Sequence, residues 1–270
     1  MAALRLLLAA CSTVNQQSQN DPSRVTFLLI HGAFHGGWCW TPLADRLSLK
    51  GFKVLAPSLS GMAAQADSDP TKVSLDTHIA DICSIIKSQK LYDVVLVGHS
   101  YGGMPITDAA DKMPGRIRTL VYLDAMIPEN GKSALDIRYP SSHQFPTPDN
   151  SGLIPPVRAS VFNLSGEMEK WVDRQLRPQP PKTIIQPIRL KGAWEQVSRK
   201  AYLRATRYEA PWFDRFLSVE KLGSLFDGCY GSFQSHRLRA NFRISFISRS
   251  GCSIAAKCPP RGISVHCVTL

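Results

Sequence analysis

Apolar residues follow two rhythms along this chain, and the rhythms alternate. "RVTFLLIHGAF" (24–34) is an unbroken apolar run ending on His-Gly, the pattern of a strand covered on both faces. In 41–51, Leu43, Ala44, Leu47 and Leu49 recur at near-helical spacing and stop at Gly51. Residues 52–61 read as a strand with its exit loop. Residues 74–90 carry Ile79, Ile82, Cys83, Ile85 and Ile86 on one stripe, which predicts an amphipathic helix. A strand over 93–100, a helix over 101–113 and a strand over 117–125 complete the series. Strands alternating with helices at this pace imply βαβ units, hence a mostly parallel sheet with helices on both faces.

The rhythm breaks from Met126 to about Leu190, where prolines crowd the chain at 128, 140, 146, 148, 155, 156, 178, 180, 181 and 187. Each removes a backbone donor and fixes φ, so the stretch suits a cap inserted over the sheet's carboxyl edge, with a helical piece over 165–176. Strand character returns over 199–206. The expected organisation is an α/β core over 24–125 and 191–216, a cap over 126–190, a leader or linker over 1–23 and an atypical segment over 217–270.

Charge and cysteine change the picture mainly at the two ends. The formal charge is +11, but Gly228–Leu270 holds six Lys/Arg and no acid, and so supplies +6 of it. The remainder lacks the basic stripe interleaved with aromatics that phosphate backbones require, which argues against nucleic acid as a partner. Of seven cysteines, Cys229, Cys252, Cys258 and Cys267 fall in this tail, and no spacing fits a metal site. Cys39 and Cys83 read as small apolar core residues. "LAAC" (8–11) resembles a lipobox, which would lipidate Cys11 and bring the chain to a membrane in a cell envelope. The apolar run before it is short, and a frayed extension of a cytoplasmic protein fits equally.

The chemistry is carried by "VVLVGHSYGG" (94–103). Gly98-His99-Ser100-Tyr101-Gly102 fits G-x-S-x-G, in which a sharp strand-to-helix turn lifts the serine hydroxyl above the sheet. "HGAFHGGWCW" (31–40) ends an earlier strand and brings backbone N–H groups beside that turn. Acyl transfer needs two such donors for the oxyanion. The amides of Ala33 and Tyr101 are the expected pair, with Phe34 next if Ala33 is displaced. His31 and His35 precede the serine and are expected to be hydrogen-bonded scaffolding.

"FLLIHGAFHGGWCW", "VGHSYGG" and "LVYLDAMIPENG" together resemble the α/β-hydrolase superfamily, and within it the branch of methyl-ester esterases and hydroxynitrile lyases with their bacterial relatives. The resemblance runs from about Val25 to Phe216. It implies a cofactor-free, capped serine hydrolase acting on small-molecule esters, with Ser100 as nucleophile and Trp38 and Trp40 bracing the oxyanion loop. A carbon–carbon lyase on the same residues, and a relative without working catalysis, are the alternatives. The acid usually follows the strand after the cap, where only Glu209 stands, so Asp124 at the end of "RTLVYLDA" is the preferred acid. The base usually lies in a Gly-His pair near the C-terminus, and no Gly-His follows residue 100. Among His143, His236 and His266, His236 is the best placed. Two readings fit the acid-free tail: a shifted reading frame that has removed the usual ending, or a divergent segment that binds a membrane surface.

Overall fold

A computed structural model describes residues 25–63, 69–139, 147–205 and 211–218. Cys11, His143, Glu209, His236, His266 and the basic tail lie outside the described residues. Among the described residues five strands form one sheet: β1 (Thr26–Ile30), β2 (Lys53–Leu55), β3 (Val94–Ser100), β4 (Ile117–Ala125) and β5 (Arg199–Leu203). Their spatial order is β2-β1-β3-β4-β5, and every pairing is parallel. Side chains alternate between the faces as strand geometry demands. Leu28, Ile30, Leu96, Leu120 and Tyr122 enter the larger core, whereas Leu29, Val95, Val97 and Leu123 enter the smaller one. The unbroken apolar runs follow from this, because both faces are covered.

Helix α1 (Thr41–Ser48) packs Leu43 and Ala44 on the smaller core. Helices α2 (Leu75–Ser88) and α3 (Gly103–Lys112) cover the opposite face through Ile79, Ile82, Ile86, Met104 and Ile106. Helix α2 starts at a reciprocal box: the Ser74 hydroxyl accepts from the Thr77 amide, and the Thr77 hydroxyl accepts from the Ser74 amide. Because α1 leaves β1 on one face and α3 leaves β3 on the other, the exits of these neighbours diverge. A crevice therefore opens at their carboxyl ends, where ligands bind in such sheets.

The elements depart from the sequence pattern at their ends. The first apolar run stops pairing at Ile30, and 31–34 become an irregular loop across the crevice. Helix α3 begins at Gly103 rather than at Tyr101, since the two intervening residues make the turn. Between β4 and β5 the described residues form three short α-helices, α4 (Ala134–Arg138), α5 (Gly166–Gln175) and α6 (Pro181–Ile185), and one isolated bridge, Ile154 with Gln179. Among the described residues no helix is long and apolar enough to cross a membrane.

The β3–α3 turn is set by backbone meeting backbone. A Cβ on Gly103 would lie 1.9 Å from the Met126 carbonyl oxygen. One on Gly102 would lie 2.8 Å from the carbonyl oxygens of both Ile30 and His31. One on Gly98 would lie 2.7 Å from the Gly102 carbonyl oxygen. Two buried imidazoles tie the loops above. His31 Nδ1 donates to the Gly32 carbonyl (2.8 Å), and its Nε2 accepts from the Leu59 amide (3.0 Å). His78 Nε2 donates to the Ser60 carbonyl (2.9 Å), and its Nδ1 accepts from the Tyr101 hydroxyl (3.0 Å). Carbonyls only accept and amides only donate, so His31 is neutral with a defined tautomer; the Ser60 carbonyl fixes a proton on His78 Nε2, and burial favours the neutral ring there, whose Nδ1 then accepts. Burial pushes His31 down to about 3 and lowers His78 as well.

Gly103→Ala is expected to cost about 3 kcal/mol, lowering Tm by roughly 6–12 °C, because rigid backbone cannot yield. Gly115→Ala, whose Cβ meets nothing within 4 Å, stays within roughly 2 °C of the parent in the same thermal melt. The neutral histidines give stability a pH dependence. In the unfolded chain their imidazoles bind protons below about 6.5. The folded protein resists this until about 3 at His31, so stability falls as pH drops through that window. Urea midpoints between pH 7 and 4 should decline, and less steeply in His31→Gln.

Candidate active site

Ser100 ends β3 with φ of +53°, a left-handed conformation unusual outside glycine. The strain is held by neighbours. The Gly102 amide donates back to the His99 carbonyl (2.7 Å), and the Met126 amide to the Ser100 carbonyl (3.0 Å). A Cβ on Gly32 would fall 3.0 Å from the Ser100 Cβ and 3.1 Å from His99 Nδ1, so the loop after β1 passes the serine at close quarters with no side chain of its own.

Asp124 sits beside this turn for a register reason. His99 pairs with Leu123 and Ser100 with Ala125, so an irregularity between β3 and β4 leaves Asp124 without a partner residue. Such a bulge re-aims a side chain at a sheet's end, and here φ is +41°. The carboxylate is buried. Its Oδ1 accepts from Arg204 Nη1 (3.2 Å) and from the Ala205 amide (3.0 Å). Arg204 is 4% exposed and Asp124 7%, while Nε of Arg204 reaches Asp214 (2.7 Å). Burial raises the Asp124 pKa, and the Ala205 amide and Arg204 oppose that rise.

The loop after β1 presents its amides unequally. The Gly32 carbonyl accepts from His31 Nδ1, and the Ala33 carbonyl from His35 Nδ1 (2.8 Å). Phe34 has φ of +66°; its amide donates to Gln179 Oε1 and its carbonyl accepts from the Arg177 amide, both at 2.9 Å. Phe34 is therefore engaged. The Ala33 amide has no acceptor among the described residues, and the same holds for the Tyr101 amide at the start of α3. Both are directed groups with capacity to spare, which is what a developing anion needs.

The remaining candidates are accounted for by packing. His35 stacks on Trp38 (5.3 Å between centroids), Trp38 meets Trp171 edge-on (5.3 Å), and Trp40 meets His99 edge-on (6.3 Å). Burial, with His35 as a neighbouring charge, pushes His99 down to about 3. His31 and His78 have both ring nitrogens engaged, so neither is free to take a proton from Ser100. Burial lifts Cys39 to about 12 and raises Cys83, leaving both as inert thiols. Among the described residues no three of His, Cys, Asp and Glu could hold a metal ion. His236 and Glu209 lie outside the described residues. Sequence patterns missed Arg204, His78 and Gln179. Each acts through a contact at least 23 residues distant along the chain, for which no local signal exists.

A model of the alpha/beta hydrolase family matches residues 27–233, reaching past Phe216, where the motif resemblance stops. The chain is 36% identical over 206 residues to the carbendazim hydrolyzing esterase of Nocardioides sp. strain SG-4G, covering 72% of this chain and 85% of that one. It is 34% identical over 115 residues to the pheophorbidase of Raphanus sativus, covering 42% of this chain and 44% of that relative. It is 36% identical over 106 residues to the alpha-hydroxynitrile lyase of Arabidopsis thaliana, covering 38% and 40%. The chain thus spans less than half the length of these two plant relatives. An extracellular alpha/beta-hydrolase from a Paenibacillus species shares the fold, with a TM-score of 0.68 at 24% identity over 80% of this chain and 94% of that one. With the family model spanning most of its length and the Nocardioides esterase matched over most of its own, the chain belongs to the alpha/beta hydrolase family.

Proposed function

We propose that this hydrolase cleaves carboxylic esters of small molecules through an acyl-enzyme on Ser100. The observation that carries the reading is the pairing of a strained serine with two unengaged amides, Ala33 and Tyr101, at the crevice between β1 and β3. The esterases among the relatives point to the same class of bond, and carbendazim, named for the Nocardioides relative, belongs in the first substrate panel. The segment 126–190 acts as a cap that selects the substrate.

In this mechanism an imidazole takes the Ser100 proton while Oγ attacks the ester carbonyl. The tetrahedral oxyanion is held by the amides of Ala33 and Tyr101, each worth about 3 kcal/mol in a dry site. The imidazolium then protonates the leaving alkoxide, and water repeats the sequence to release the acid and restore Ser100. His236 is the candidate base. Asp124 orients it and stabilises its charge, with Arg204 and the Ala205 amide favouring the ionised carboxylate against the effect of burial.

Hydrolysis of p-nitrophenyl acetate by the full chain should fall about 10⁴-fold or more in Ser100→Ala. Equal rates in parent and variant would sink the proposal, and cyanide released from a cyanohydrin would move the reading to a lyase. Asp124→Asn should lower kcat about 10⁴-fold, as loss of the orienting acid does in serine triads, whereas Glu209→Gln should stay near the parent rate. The reverse ranking transfers the acid's role to Glu209. His236→Ala should match Ser100→Ala; a parental rate there places the base elsewhere.

A further inference from the structure

The geometry points to Gln179 as a positioning residue that aims the oxyanion loop, acting from the segment between β4 and β5. This rests on the reading of the Ala33 amide as an oxyanion donor, and it names what holds that amide in place.

Successive peptide groups of the loop are clamped in turn. A trans peptide directs its N–H opposite to its C=O. The group joining Gly32 to Ala33 has its carbonyl held by His31 Nδ1 (2.8 Å), so the Ala33 N–H faces the other way. The group joining Ala33 to Phe34 is held at both ends, its carbonyl by His35 Nδ1 (2.8 Å) and its N–H by Gln179 Oε1 (2.9 Å). Fixing the second group sets the backbone on the far side of Ala33, and so holds the first. Phe34 adopts a φ of +66°, which a bulky residue does not keep unless its surroundings impose it. Gln179 is the side chain that supplies the acceptor, from 145 residues away along the chain.

Gln179 is itself fixed in orientation. It is 1% exposed, and its backbone exchanges two bonds with Ile154, at 2.9 and 2.8 Å. Its Nε2 donates to Thr183 Oγ1 (2.7 Å), which donates to the Pro180 carbonyl (2.6 Å). With Phe34 N–H as an obligate donor, only one setting of the amide satisfies both ends. The Arg177 amide adds a second bond from the same segment to the Phe34 carbonyl (2.9 Å).

A side chain that merely filled space could be replaced by leucine without a kinetic signature. Gln179→Leu keeps the volume and removes both bonds. Its kcat for p-nitrophenyl acetate should fall about 10- to 100-fold with KM within about twofold, the pattern of a misplaced transition-state donor. Affinity for a boronic acid that forms a tetrahedral adduct on Ser100 should fall in parallel, while inhibition by acetate stays unchanged. Gln179→Glu keeps an acceptor for the Phe34 N–H and should recover most of kcat, and it serves if the leucine variant does not fold. The Phe34 amide, followed by hydrogen exchange, should exchange faster in Gln179→Leu than in the parent or Gln179→Glu. An unchanged kcat in folded Gln179→Leu, or unchanged Phe34 exchange, overturns the proposal. If Ser100→Ala is as fast as the parent, the serine reading fails by itself, and the Phe34 exchange still decides whether Gln179 holds the loop.

Discussion

Three carbonyl oxygens, those of Ile30, His31 and Met126, press on the two glycines that follow the β3 turn, and the site is arranged around that contact. It brings β1, β3 and β4 together at one point of the sheet's edge, with no side chain between them. Ser100 is forced into a left-handed conformation there, and the neighbouring backbone supplies the bonds that keep it so. The close approach also sets the distance from the serine to the loop after β1, through Gly32. Ser100 and the loop after β1 are thus placed by backbone packing, which is stiffer than any arrangement of long side chains.

Around this rigid centre the polar groups are paired nearly completely, and the pairing is directional. His31, His35 and His78 are neutral donors or acceptors with assigned tautomers, each spending a hydrogen bond on a loop carbonyl. Among the described residues the amides of Ala33 and Tyr101 have no acceptor, and the buried indole nitrogens of Trp38 and Trp40 also lack a partner. Asp124 presents the complementary case. Its burial would favour the neutral acid, and Arg204 with the Ala205 amide oppose that tendency.

The segment between β4 and β5 does more than cover the sheet. Through Arg177 and Gln179 it bonds the backbone of the loop it lies over, so the loop's geometry depends on residues near position 180. Trp38, Trp171, Phe162 and His35 form an aromatic contact between the same two regions, adding apolar burial to the hydrogen bonds.

The sequence alone determined the layered α/β plan, because apolar periodicity records which faces are covered, and that is a local property. It also singled out Ser100 and the amides of Ala33 and Tyr101 as candidates, since glycine-flanked turns have few uses and short spacings carry them. The ends of the elements were less legible. The run through Phe34 and the helix reaching back to Tyr101 both looked regular, yet the run gives up its last residues and the helix its first to the loops beside Ser100. What only the tertiary structure decided is which groups hold that site in shape. Gln179 on Phe34, Arg204 on Asp124 and His78 on Tyr101 each join residues distant along the chain, and polar contacts of that kind leave no period in the sequence to read.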